Sequence, residues 1–362
     1  MEREQTKTRI AYLDHLRILA TFAVVLLHAA ASVWGHVPAG SAQWQAYNVY
    51  DSLVRWCVPV FVMISGALFL RKDEIPFKEL LYKYILRLVV AFFVWSFVYY
   101  LFDGDSILGQ LKGLTESGRA ARVISIITGH HHLWFLPMMA GLYLCLPILR
   151  QIVANPKTAR YFLILSAVFW GVIPELVTLI RDFCNVNVVL SFTEAFNGKV
   201  DEMSLNMLLG YPFYFVLGYE LSVTELGPKS RRGIYLGGIL GFLFTVIMEI
   251  LLVTGTGAYL GNYYNYSFAS IAIQAVAVFE LYKTRAFAGT GINRIAGKIS
   301  GLCFGVYLTH LLFLEPIAQD EENIMIQYPV AGILAVVLLV TVCSYALSAL
   351  LHLIPGVKKY LV

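Results

Sequence analysis

The chain has 362 residues, 59% of them hydrophobic and 14% charged, with a formal net charge of +4 and a mean hydropathy of +0.70. Ordinary soluble domains are about 45–50% apolar and about 25% charged, so water cannot solvate this chain's surface and a bilayer must do so for much of it. The small positive charge sits mostly in short connections, which excludes a nucleic-acid surface and carries topology instead.

A membrane-crossing helix needs about 20 largely apolar residues. Ten segments qualify in chain order: Leu13–Trp34, Leu53–Leu70, Leu81–Phe102, Leu133–Val153, Tyr161–Ile180, Ser204–Leu221, Gly233–Thr254, Tyr264–Tyr282, Ser300–Pro316 and Pro329–Ile354. With the N-terminus in the cytoplasm, inner connections gather clusters such as Arg71, Lys72, Lys78, Lys83 and Arg87, whereas outer ones hold only Lys112, Arg119, Arg122, Arg181 and Lys199. That roughly fourfold excess, alternating loop by loop, predicts ten spans with both termini cytoplasmic. The expectation is an all-α, polytopic protein of one transmembrane domain covering residues 1–362, in a cell membrane, most naturally a bacterial plasma membrane. The first apolar run is long and lacks an A-x-A site, so it reads as a signal anchor. Two outer stretches, Asp103–His132 and Arg181–Met203, read as polar connections that serve as lids, partner surfaces or slack.

Polar side chains inside a bilayer are expensive, and each asks for a reason. The first span reads YLDHLRILATFAVVLLHAAASVW and sets Asp14, Arg17, Thr21 and His28 near one stripe. Arg17 and His28 are eleven residues apart, close to three turns, so they point the same way roughly 16 Å apart. Histidine can act as a general base near neutrality, and arginine can hold a phosphate or carboxylate. The plain alternatives are an arginine snorkelling to head groups, paired with Asp14, and a histidine bonding between helices. In the second span, Pro59 and the Ser65-Gly66 step permit a kink and close helix packing.

The fourth region opens on His130, His131 and His132, then Trp134. Three consecutive histidines cannot converge on one ion from a helix, and no carboxylate lies nearby in sequence, so no metal is expected. His310 falls near the middle of the ninth span beside Tyr307 and Thr309, which favours a functional or network role. Glu175 and Glu249 are candidate partners for His28. The five cysteines form no CxxC pair and read as small buried residues.

These pieces together resemble the membrane-bound acyltransferase-3 family, whose members move acyl groups, often acetyl, onto cell-surface carbohydrates and related envelope acceptors. The resemblance rests on LDHLRILATFAVVLLH with its Arg17-x10-His28 spacing, PVFVMISGALFL, HLWFLPMMAGLYLCLPIL, FYFVLGYEL and GVYLTH, and covers nearly the whole chain. It implies that Arg17 and His28 are essential for transfer and suggests roles for His132 and His310. The expected donor is acetyl-CoA, entering from the cytoplasm as co-substrate, its phosphates meeting Arg17 and basic residues such as Arg71 or Lys72. The expected acceptor is an envelope glycan or lipid-linked sugar, approaching from outside near Trp34, His36, His132 and the two longer outer stretches, with Asp14, His132 and Trp34 as the expected substrate-binding residues. Two competing readings stay open: a secondary transporter of a small polar solute such as serine, and a non-catalytic partner in an envelope-synthesis complex.

Overall fold

A computed structural model describes residues 10–72, 75–102, 124, 126–205, 209–285, 290–320 and 322–362. The charges assigned to Lys112, Arg119 and Arg122, and most of the stretch Asp103–His132, lie outside the described residues. Those residues form helices and no strand. Helix α1 is Ala11–Ser32, α2 is Ala42–Val54 and α3 is Cys57–Phe69. Helix α4 runs Phe77–Phe102 and contains a π-helical turn at Leu80–Ile85. A 3-10 turn, His131–Trp134, leads into α5, Phe135–Leu144, and then α6, Leu146–Ala154. Helix α7, Pro156–Phe183, is followed by α8, Asn187–Glu202, α9, Tyr211–Val223, and α10, Pro228–Thr256. Helices α11, Ala269–Thr284, α12, Thr290–Ala318, α13, Ala331–Leu351, and α14, Pro355–Tyr360, complete the chain.

Among the described residues seven helical stretches are long and apolar enough to cross a membrane, and α5 with α6, bent by 57°, makes an eighth if the pair is one span. Leucine, isoleucine and phenylalanine are exposed along α4 (Phe93, Phe97), α10 (Leu236, Ile239, Leu243) and α13 (Leu338, Leu339). Such a belt suits hydrocarbon, which asks every backbone polar group to be satisfied within its own helix. The protein is therefore a multi-pass, all-helical membrane protein.

Two of the ten expected spans fall on shorter helices. The segment Ser204–Leu221 coincides with α9, of 13 residues, which starts after Gly210 in a backbone conformation of φ 110° and carries Pro at its N-terminus. The segment Tyr264–Tyr282 coincides with α11, of 16 residues. The second span instead starts earlier than expected. One stretch, Ala42–Phe69, joins α2 to α3, because polar α2 residues that depress hydropathy are wholly buried and paired. Asn48 accepts from the Tyr264 hydroxyl at 2.5 Å and donates to the Val246 carbonyl at 3.2 Å. Asp51 binds Arg55 one turn on, with Nη2 donating to Oδ2 at 2.8 Å, and the Arg55 guanidinium covers the Tyr264 ring at 4.3 Å. Arg181–Met203, read as a polar connection serving as lid, partner surface or slack, contains helix α8, whose Val188, Phe192 and Phe196 are exposed along one side.

Helix α1 is the hub, packed by α2, α3, α11, α12 and α13. The Ser65-Gly66 step does bring helices close. A β-carbon on Gly66 would strike the Phe215 carbonyl of α9, and one on Gly218 would strike the Met63 carbonyl of α3. Small residues at such crossings let backbones meet and gain dispersion contact, the main attraction left between helices in lipid.

Candidate functional site

The i, i+11 spacing on α1 is realised as a shared lining. A cavity of about 350 Å³ holds Arg17 near one end and His28 near the other. Its walls come from α3 (Phe61, Ser65), α4 (Tyr84, Arg87), α5 (Leu136, Tyr143) and α12 (Phe304, Tyr307). The walls are chiefly apolar, so the passage between cation and imidazole is greasier than a polar stripe suggests. Arg17 is 28% exposed and lies 3.7 Å from Asp14. Its Nη1 donates to Ser300 Oγ at 2.9 Å, which ties α1 to α12. The cation is thus aimed by these two partners.

At the far end four histidines from three elements converge. His28 comes from α1, His310 from α12, and His131 and His132 from the 3-10 turn before α5. The His28 ring centroid is 5.1 Å from that of His310, 5.9 Å from that of His131 and 6.5 Å from that of His132. Gly129 makes this turn possible. Its φ of 76° lies in the left-handed region, and a β-carbon there would sit 2.7 Å from the Phe92 ring, so a side chain is opposed by both backbone and space.

Hydrogen bonds orient the cluster. The Tyr307 hydroxyl donates to the His132 carbonyl at 2.6 Å. His310 Nδ1 lies 2.7 Å from the Tyr307 carbonyl; a carbonyl only accepts, so Nδ1 carries the proton and the neutral ring keeps its lone pair on Nε2. Among the described residues, His310 Nε2 and His132 Nε2 are buried without a protein partner. Buried polar atoms are normally paired, and two unpaired imidazole nitrogens in one cluster mark a place where a ligand completes the bonding.

A second cavity of about 600 Å³ opens beyond the histidines, lined by His36, Ser96, Tyr99, His130, His131 and Glu315 among others. It shares no lining residue with the first. The histidine layer therefore stands between two chambers. At the Arg17 end, a groove of about 1010 Å³ between α4 and α14 is lined by Lys78, Lys83, Arg87, Lys358 and Lys359. Arg87 lines both this groove and the first cavity. Its Nη2 donates to the Val362 carbonyl at 2.6 Å, and its Nε is buried without a partner among the described residues.

The other expected site residues are placed as follows. Arg71 bonds Ser222 of α9 through Nε at 3.1 Å and does not line the cavity. Lys72 lies over the rings of Phe69 and Tyr84, at 4.4 and 5.0 Å, and those rings do line it. Asp14 is buried beside Arg17 but off the cavity wall. Trp34 stacks against Tyr264, with ring centroids 5.5 Å apart and an interplanar angle of 7°, away from both chambers. Neither glutamate meets His28: Glu175 accepts from the Ser270 amide at 3.3 Å and Glu249 from the Tyr263 amide at 2.7 Å. Sequence reasoning counted Arg87 only as a topology charge, and left Tyr84, Tyr143, Tyr266 and Glu315 unassigned. The π-helical turn just before Arg87 is a feature often found at functional sites, and it has no hydropathy signature.

A family model described as an acyltransferase domain, acyltransferase-3, matches residues 10–350. No curated protein and no solved structure matches the chain.

Proposed function

We propose, for a chain that belongs to the acyltransferase-3 family, that this acyltransferase moves an acetyl group from cytoplasmic acetyl-CoA to a hydroxyl of an extracytoplasmic envelope glycan or lipid-linked sugar. The observation that carries the reading is the single cavity with Arg17 at one end and His28 and His132 at the other. In this reading ten helical segments, including short α9 and α11, complete the bundle, both termini are cytoplasmic, and the membrane is a bacterial plasma membrane.

The donor's anionic end meets Arg17, Arg87 and the lysines of the adjoining groove, where charge-assisted bonds are the strong kind. Its thioester arm lies along the apolar wall and reaches the histidines. Lys72 supports that wall through the Phe69 and Tyr84 rings, and Arg71 holds α9 beside it. The acceptor enters through the chamber lined by His36 and His131. His28 takes the proton of the acceptor hydroxyl as its oxygen attacks the thioester carbonyl. The C–S bond then breaks, the ester forms, and the thiolate leaves to be protonated. His310, held by Tyr307 with Nε2 in the cluster, sits 5.1 Å from the His28 ring and shares the proton's path. Positioned acid–base groups of this kind contribute about 10²–10⁴-fold to rate.

The test uses protein reconstituted in liposomes with labelled acetyl-CoA inside and envelope acceptor outside. His28→Ala, inserted at wild-type level, is expected to lose transfer by about 10²–10⁴-fold. Wild-type transfer by that variant removes His28 from the mechanism. Solute uptake without any thioester would instead make the protein a transporter.

A further inference from the structure

We infer that His130, His131 and Glu315 form a binding site for one divalent transition-metal ion of the zinc class, on the far side of the histidine layer from the Arg17 cavity. The three side chains each offer a ligand atom, and these atoms all lie within 4.8 Å of one another. His130 Nε2 is already 3.2 Å from Glu315 Oε1. Tetrahedral zinc, with bonds of about 2.0–2.2 Å, places neighbouring ligand atoms about 3.4 Å apart. Only modest side-chain rotation separates the observed cluster from that geometry. His131 is exposed and Glu315 has 30% of its side chain exposed, so neither is locked in a packed core.

Both reasons for expecting no metal are removed by the fold. The histidines are not on an α-helix: His130 is extended and His131 begins the 3-10 turn that follows Gly129. The missing carboxylate is supplied from α12, far away in sequence. Two histidines and one glutamate are a ligand set that zinc uses where a fourth position is left for water or substrate, and all three residues line the open chamber of about 600 Å³.

The surroundings of His130 also suit a ligand. A metal-binding imidazole usually passes its other N–H to an acceptor that fixes its orientation. His130 Nδ1 lies 2.9 Å from His132 Nδ1, and the His130 ring stacks on Tyr99 with centroids 4.4 Å apart. With an ion on Nε2, the neutral His130 ring must carry its proton on Nδ1 and donate it to His132. That puts the His132 proton on Nε2, the buried atom left without a partner in the cluster. An occupied site therefore sets the tautomer of a residue that lines the first cavity. In the acyl-transfer reading, on which this consequence alone rests, His132 then offers an N–H to the thioester oxygen. The metal site itself does not depend on that reading.

The test measures binding alone, without donor or acceptor. Full-length protein in detergent, stripped with chelator, is titrated with ZnCl2 by calorimetry, alongside His131→Ala, Glu315→Gln and the distant control His352→Ala. Folding is checked by monodispersity and helical circular dichroism. His131 and Glu315 are chosen because neither is buried, so truncation does not open the core. The expected result is one saturable zinc per chain, unchanged in His352→Ala and weakened at least tenfold, on the scale of lost metal-site support, in each of the other two. No saturable binding, or an affinity that either Glu315→Gln or His131→Ala leaves unchanged, overturns the site.

Discussion

Replacing Arg17 by lysine keeps the charge and removes the fork. The guanidinium spends one N–H on Ser300 at 2.9 Å and lies 3.7 Å from Asp14, so it has donors left to face a ligand in two directions. Lysine presents one compact ammonium on a flexible stem and cannot hold Ser300 while gripping a phosphate in the same plane. A hydrogen bond to a charged group is worth about 1.5–3 kcal/mol. Arg17 is 28% exposed, and water partly screens it, which places the loss near the lower end, about 1.5–2 kcal/mol. At about 1.4 kcal/mol per factor of ten, the donor KM should rise about 10–30-fold. The effect should fall on donor KM more than on kcat, because Arg17 sits at the opposite end of the cavity from His28. The assay is initial-rate acetyl transfer in proteoliposomes over a range of acetyl-CoA concentrations, with insertion normalised by quantitative blotting. A donor KM within about twofold of wild type would show that Arg17 grips no part of the donor and serves only to join α1 to α12.

Three further outcomes test other parts of the molecule. Arg87→Gln should raise donor KM while leaving acceptor KM unchanged, since Arg87 lines the cavity and the basic groove but not the chamber beyond the histidines; a rise in acceptor KM alone would contradict the assignment. Gly218→Val should separate α3 from α9 by forcing a side chain onto the Met63 carbonyl, lowering the thermal midpoint in detergent by the equivalent of about 1–3 kcal/mol or more, and an undiminished midpoint would show the crossing is loose. Asp51→Ala should cost about 3–5 kcal/mol, the penalty for leaving the buried Arg55 uncompensated, so denaturant unfolding should begin at lower concentration; stability equal to wild type would mean Tyr264 and Tyr266 satisfy Arg55 by themselves.

Helix α1 was legible because its information is local. Eleven residues is nearly three helical turns, and a membrane helix is regular enough for that arithmetic to place Arg17 and His28 on one wall. Hydropathy located most spans for the same reason. It misplaced the start of the second, because Asn48 and Asp51 look like loop residues until Tyr264 and Val246 satisfy the first and Arg55 the second. The Arg181–Met203 stretch looked like slack because its composition is mixed, yet Val188, Phe192 and Phe196 recur at helical intervals, and a periodicity count finds α8. The histidine layer was only half legible. His28, His132 and His310 each stood out as costly, but their meeting depends on α12 docking against α1 and on a turn that needs Gly129. Glu315 was invisible for the same reason: its partner His130 is separated from it by about half of the chain. Arg87 was hidden by a rule that was otherwise useful, since a cation near a span end counts toward topology before it counts toward chemistry.

The two chambers that share no wall residue carry a consequence for the cell. A bilayer stores energy as a difference in ion concentration and voltage, and any continuous thread of water through a protein would short it. In the proposed reaction a group would be handed from one compartment to the other while the histidine and tyrosine rings between the two chambers stay in place. The substrates would each come as far as that plug and no farther, so the cargo would cross and the battery would stay charged.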